Sequence, residues 1–413
     1  MKRAAIAVSA CIGMAPVAAF AADWSLNTSQ VETIEASDNL FMRTSPAAAI
    51  GSYSTLTANA EALMPTSKLN INVDGNYRKF WGPGVEGAPS ESLSWGALGH
   101  YEHNEKGSSD REYLETNWRQ SSTAFALLNE FGVITNTKGF LDRRTFTGGI
   151  DRSITNLDSL SLMATSTHTS YEPSGGGTPV TDTLARGSWR HRFSPITALN
   201  ASSEYERLNY ENAQNSQIEI YRNQLGIDAT LSPVLSFRGN IGPIYIVTAG
   251  GINPLSGIQG TATNTSGTSS LLGWIGNAVL TYRVLKNTTL AIDIAQSVSS
   301  SIVGSLYKSD YVTAVLTHNI NSLSTISFSA SATRTTSTSP TDFASASVTY
   351  GYQLTKDLNA QLTYRYQHRF GTSGGSSIDP ITNTPTLAGS GPASANSIVL
   401  VVSHHYTVLP HGD

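Results

Sequence analysis

Few residues in this chain have the types and spacing that chemistry needs. Gly371-Thr372-Ser373-Gly374-Gly375 fits G-x-S-x-G, the sharp strand-to-helix turn that exposes a nucleophilic serine. No helical pattern follows it. Ser376, Ser377, Asp379-Pro380 and further Gly and Pro do, so the match reads as a Gly/Ser-rich loop. His100 and His103 have the spacing of a metal pair on a helix, but on a strand residues three apart face opposite sides. Adjacent His404 and His405 are divided in the same way. These residues predict no catalytic centre, no metal site, no cofactor and no enzyme.

The more serious candidates are charged. One parity of several alternating segments gathers Asp74 and Arg78, Glu115 and Arg119, then Arg186, Arg190 and Arg192. The same parity takes in Glu204 and Glu206, Asp293, and Arg365 and Arg369. Such a set can be a charge ladder that solvates a wall, whose paired ions add little net stability. It can also line a constriction that selects solutes by sign and hydrogen bonding. The mixed signs argue against strong selectivity for either sign of ion. Abundant Asn, Gln, Ser, Thr and Tyr suit a neutral or modestly charged carbohydrate, whose hydroxyls need donors and acceptors together.

The elements that position these charges are strands. From Lys68 to Phe80, Leu69, Ile71, Val73, Gly75 and Tyr77 share one face, and Lys68, Asn70, Asn72, Asp74, Asn76 and Arg78 the other. Leu358, Ala360, Leu362, Tyr364 and Tyr366 alternate likewise with Asn359, Gln361, Thr363, Arg365 and Gln367. Such segments run ~12–14 residues, against ~5–6 for strands of soluble proteins, a length that suits a tilted strand crossing a bilayer.

A short turn between alternating segments recurs at Ile154–Asp158, Phe193–Thr197, Leu231–Leu235, Val284–Thr288, Ile320–Ser324 and Leu354–Leu358. Each interval holds two long strands and one longer loop. Counting by alternation predicts strands over 31–43, 51–64, 67–80, 92–103, 112–121, 143–153, 158–171, 180–192 and 197–210. It continues with 216–230, 234–248, 270–284, 288–302, 307–319, 323–335, 341–354, 358–371 and 395–407. The expected fold is all-β, an antiparallel up-and-down transmembrane barrel of about eighteen strands, with sixteen as the alternative. Placing every short turn on one rim requires 122–142 to be a long loop, with a helix or hairpin over Ala126–Phe131. The shared parity of Ile218, Ile220, Arg222 and Gln224 predicts a bulge or register change in 216–230. Aromatics near strand ends read as interfacial girdles: Tyr77, Phe80, Tyr205, Tyr210, Tyr350, Tyr352, Tyr364, Tyr366 and Phe370.

Bulk composition agrees. Of 413 residues, 39% are hydrophobic and 14% charged. Past residue 21 no stretch approaches the ~18 consecutive apolar residues of a membrane helix. Lys2 and Arg3, the apolar run Ala4–Val17 and the small residues of Ala19-Phe20-Ala21 predict an export signal over 1–21, leaving 22–413 as the barrel. Cys11, the single cysteine, lies within that leader. The net charge of −4 offers no basic footprint for nucleic acid.

Trp189-Arg190-His191-Arg192-Phe193-Ser194-Pro195-Ile196-Thr197-Ala198-Leu199 and Tyr350-Gly351-Tyr352-Gln353-Leu354-Thr355-Lys356-Asp357-Leu358 carry a loose strand–turn–strand signature. It resembles that of outer-membrane β-barrel porins associated with bacterial exopolysaccharide secretion. Ser37-Asp38-Asn39-Leu40-Phe41 is similar to that family's entry segment. The resemblance implies a barrel in the outer membrane of a Gram-negative bacterium. It further implies export of an exopolysaccharide together with periplasmic and inner-membrane secretion components, and it supplies no catalytic residues. The alternatives are a general or sugar-preferring diffusion porin and a plugged structural or adhesive barrel. Expected partners are outer-membrane lipid and a hydrophilic solute or polysaccharide. The chain departs from many outer-membrane proteins by running past Tyr406 to Asp413 rather than ending on an aromatic residue.

Overall fold

The computed structural model describes residues 22–104, 110–123, 139–172, 178–211, 215–249, 261–265, 268–300, 306–336, 341–371 and 391–409. Its strands are β1 (Asp23–Ser37), β2 (Ala49–Leu63), β3 (Ser67–Trp81), β4 (Glu91–Asn104), β5 (Arg111–Ser122), β6 (Phe140–Ser153), β7 (Asp158–Glu172), β8 (Val180–Ser194) and β9 (Thr197–Tyr210). Then come β10 (Gln217–Ser232), β11 (Leu235–Ala249), β12 (Thr261–Thr265), β13 (Thr268–Leu285), β14 (Thr288–Ser300) and β15 (Leu306–Asn319). The last four are β16 (Ser324–Thr336), β17 (Thr341–Gln353), β18 (Leu358–Arg369) and β19 (Ala393–Leu409). β1 pairs with both β2 and β19, so the sheet closes on itself. Eighteen strands form the antiparallel barrel. The short β12 pairs only with β13.

The recurring turn has a local cause. Its polar side chain takes up backbone N–H groups that the reversing chain leaves free. Thr155 Oγ1 accepts from the Asp158 N–H at 2.9 Å, Asn321 Oδ1 from the Ser324 N–H at 2.8 Å, and Thr355 Oγ1 from the Leu358 N–H at 3.1 Å. In the two Ser-Pro copies, Ser194 and Ser232 accept from Ile196 and Val234, and the proline ring presets the turn's backbone angle. All these turns lie on one rim, which also carries Asp23 and Leu409.

Alternation then sorts the two faces. Leu56, Val73, Leu93, Phe146, Leu162, Leu225, Ile294, Val312, Phe328 and Leu362 are exposed on the outside of the wall. Aromatics bracket this band at two levels. Tyr101, Trp189, Tyr282, Tyr350 and Tyr406 lie toward the short-turn rim, and Tyr77, Trp81, Tyr221, Tyr245, Tyr364 and Tyr366 toward the long-loop rim. So large an exposed apolar surface is that of a membrane barrel.

Three expectations are corrected. The first strand is Asp23–Ser37, not 31–43. The chain leaves the sheet because Asn39 anchors a turn: its amide donates to the Arg43 and Ser394 carbonyls at 2.8 and 2.9 Å, and its Oδ1 accepts from the Arg43 N–H at 2.8 Å. Phe41 then buries edge-on against Phe80, ring centroids 5.5 Å apart, and Tyr53 closes the other side at 5.6 Å. Phe80 and Tyr210 therefore belong to no girdle, since both are buried inside the barrel. Nor does the expected bulge or register change fall at the mixed-parity residues; β10 shifts register against β11 only between Thr230 and Ser232, at the turn. β10 pairs with β9 without a shift from Gln217 to Ala229, and Ile218, Ile220 and Arg222 do share a face. The leader 1–21 with Cys11, the segment Ala126–Phe131, and Thr372–Gly375 of the G-x-S-x-G match lie outside the described residues.

The Phe41 cluster locks the β1–β2 connection onto the inner wall. Phe41→Ala is expected to lower stability by about 3 kcal/mol, the usual cost of truncating a buried aromatic ring. The check is the urea midpoint of unfolding in lipid bilayers, with the folded barrel still recognised by its heat-modifiable migration.

Candidate functional site: the inner wall of the barrel

Register places the charged candidates on the face turned away from the exposed apolar residues, in separate groups. Asp74 accepts from Arg119 at 2.9 Å across the intervening strand β4. Gly96 makes this possible: a β-carbon there would lie 3.0 Å from the Asp74 carboxylate and 3.2 Å from the Arg119 guanidinium. Arg78 donates to Asn76 at 2.8 Å. Glu115 bonds His100 at 3.2 Å, while His103 lies on the other face, against Ser67. Asp293 accepts from Tyr311 at 3.2 Å. Arg365 pairs with Glu35, which also accepts from Tyr53. Arg369 is buried and donates to the Gly391 carbonyl. These groups are spread around the wall and do not converge on one reacting atom.

Two regions are more organised. Near the long-loop rim the inner wall is apolar: Leu208 and Tyr210 on β9, Ile218 and Ile220 on β10, Ile244 and Ile246 on β11, Leu271 and Ile275 on β13. Side chains of this kind would be misplaced against water. They are covered by Val298 and Leu306, from the far ends of β14 and β15. β14 pairs with β13 only as far as Gln296, opposite Gly276, and β12 takes the edge of β13 above that level. The upper end of the β14–β15 hairpin thus packs across the inner wall and narrows the lumen. Arg222 anchors it, with Nη1 at 2.5 Å from both Glu204 and Glu206 and Nη2 donating to the Val298 carbonyl at 3.1 Å.

Near the short-turn rim the inner wall is basic. Asp228 accepts from Arg190 at 2.5 Å and from Arg238 at 3.0 Å, holding both guanidinium groups in place. Arg192 stands beside them, exposed and without an ion pair among the described residues, as does Arg186 two positions beyond Arg190 along the same face. Arg190, Arg192 and Arg238, with Ser194, Thr230, Ser236 and Thr281, line a cavity of about 370 Å³ that Arg186 does not reach. A larger concavity of about 1190 Å³ opens on the outer face beside Ile241, Trp274 and Ile294, where β14 turns inward.

Arg222, Asp228, Arg238 and Glu35 were not among the sequence candidates. The first three continue the charged parity onto β10 and β11. Ile218 and Ile220 on that parity obscured it, because apolar side chains inside a channel make sense only once a hairpin is seen to cover them.

An antiparallel barrel of eighteen strands, apolar outside and charged within, has the fold of the outer-membrane channels. Solved structures agree at the level of fold. OccK2 (OpdF) of Pseudomonas aeruginosa superposes with a TM-score of 0.51 at 10% identity, over 94% of this chain and 99% of its own. Its complex with glucuronate gives 0.50 at 10% identity, over the same shares of the two chains. The FrpB iron transporter of Neisseria meningitidis gives 0.51 at 6% identity, over 93% and 81%. No family model and no curated protein matches the chain.

The Arg222 side chain is 13% exposed and balances two acids, so Arg222→Ala leaves both carboxylates uncompensated beneath the apolar shelf. A loss of about 3 kcal/mol is expected, as for other broken buried pairs. The check is hydrogen exchange, which should speed up at the upper end of the β14–β15 hairpin and stay unchanged in the lower halves of those strands.

Proposed function

We propose that the chain is an outer-membrane diffusion channel for small hydrophilic solutes, with a preference for acid-bearing sugars. The arginine-lined cavity on the inner wall carries this reading. Three arginines and one aspartate line it together with five hydroxyl-bearing residues. Guanidinium groups pair with a carboxylate through short charge-assisted bonds, and hydroxyls can both donate to and accept from a sugar ring. OccK2, which shares the fold, has been solved with glucuronate.

The exopolysaccharide conduit implied by the segment resemblance has weaker support. An apolar shelf packed by a hairpin narrows the passage, and a chain polymer gains nothing from a cavity of monosaccharide size. Among the described residues no catalytic constellation favours an enzyme.

Single-channel recording in planar bilayers tests the reading. Glucuronate should interrupt the current at concentrations about tenfold below those of uncharged glucose, the factor expected from one charge-assisted hydrogen bond. Arg192→Gln and Arg238→Gln should each abolish most of that difference while leaving the open conductance nearly intact. Equal block by the two sugars would remove the preference but leave the channel. Loss of surface polysaccharide on deletion of the coding region, with uronate uptake unchanged, would overturn diffusion in favour of export.

A further inference from the structure

β1 carries polar residues in the middle of both faces. Inward lie Ser25, Asn27, Ser29, Thr33 and Glu35, with Val31 among them, and outward Thr28, Gln30 and Glu32 form a polar run between Leu26 and Ile34. Leu26 and the exposed Ile34 flank this run on the same face, so it lies within the apolar outer band. Elsewhere on this surface outward mid-strand positions are filled by residues such as Val73, Leu162 and Ile294.

Glu32 is held there by its neighbours. Ser54 Oγ donates to one carboxylate oxygen at 2.6 Å, and Gln30 Nε2 donates to the other at 3.1 Å. Two bonds leave acceptor sites of the carboxylate and one amide hydrogen of Gln30 facing outward. Hydrocarbon offers them nothing, and a carboxylate facing lipid is costly wherever it is left so. Beside it, the outward column of β2 reads Ser52, Ser54, Ala58 and Ala60, interrupted only by Leu56. Small side chains let a second wall approach closely.

We propose that the outward face of β1 and β2 is an interface with a second copy of this chain. A second barrel sits in the membrane in the same orientation, so it presents the same residues at the same depth. Across a twofold axis along the membrane normal, Glu32 of each copy meets the Gln30 amide of the other. The patch is thus its own complement, as a twofold contact requires. The contact rests on the barrel spanning a membrane and not on what passes through it.

Cysteine cross-linking in native membranes provides the test. With Cys11 replaced by Ser the chain has no native thiol. Gln30→Cys should then oxidise to a band of twice the chain mass in more than half of the protein, whereas Leu162→Cys, on the outward face of β7, should give little. Glu32→Leu suits lipid better and should cut the cross-linking of Thr28→Cys about tenfold, with heat-modifiable migration showing an intact barrel. Equal cross-linking at positions 30 and 162 would overturn the proposal. So would cross-linking at position 28 that Glu32→Leu leaves unchanged in a folded barrel.

Discussion

In hydrocarbon a backbone N–H or C=O has no water to turn to, so each edge of every membrane-spanning strand must find another strand. The pairing of β1 with β19 answers that demand for the whole sheet. Closure fixes the number of strands, makes their direction alternate and leaves only two faces, one for lipid and one for the lumen. The same demand explains the irregular part of the wall. β14 leaves β13 above Gln296, which would bare an edge, but β12 pairs with β13 over Leu272–Thr268. The Val298 carbonyl on the departing strand is taken up by Arg222. The hairpin can turn inward because both sides of the break are satisfied.

That inward turn gives the lumen two unlike ends. Toward the long loops, aliphatic side chains and the covering hairpin make a narrow, poorly polar passage, with the Arg222 guanidinium neutralised by Glu204 and Glu206. Toward the short turns, Asp228 neutralises only part of the charge of Arg190 and Arg238, and Arg192 adds to it. A positive field in a concave, low-dielectric wall is focused and concentrates anions near it. The tight ion pair belongs where desolvation is greatest, and the surplus charge belongs where water still screens it.

Most of the architecture was legible because it is written locally. A strand declares itself by a period of two, and each tight turn by a Thr, Asn or Ser that caps its own backbone. The limits of 67–80 and 158–171 differ from the observed strands by one residue. The exceptions depend on distant partners. β1 ends early because Asn39 binds the Ser394 carbonyl and Phe41 finds Phe80, contacts between segments far apart in the chain. Ile218 and Ile220 looked like a fault in the alternation, yet they are regular; what was hidden is the hairpin nearly eighty residues later that covers them. The charged parity could be read strand by strand, but which acid meets which arginine could not. Asp74 reaches Arg119 over a glycine on the strand between them, a relation that needs three strands aligned.

Side-chain parity also carries information when it fails to separate polar from apolar. On β10 one face mixes isoleucine with arginine, and the cause is a protein element packed inside the barrel. On β1 the middle of the outer face is as polar as the inner one, between Leu26 and Ile34, and it looks into lipid. A strand wall has only two environments if nothing covers it, and alternation then divides residues into two classes. A strand that breaks the division reports a third environment. Within the lumen that environment is the β14–β15 hairpin, which the structure contains. Outside, at Gln30 and Glu32, hydrogen-bonding groups remain unspent at a depth where lipid supplies none, and protein is the one membrane component whose side chains can meet them at that depth.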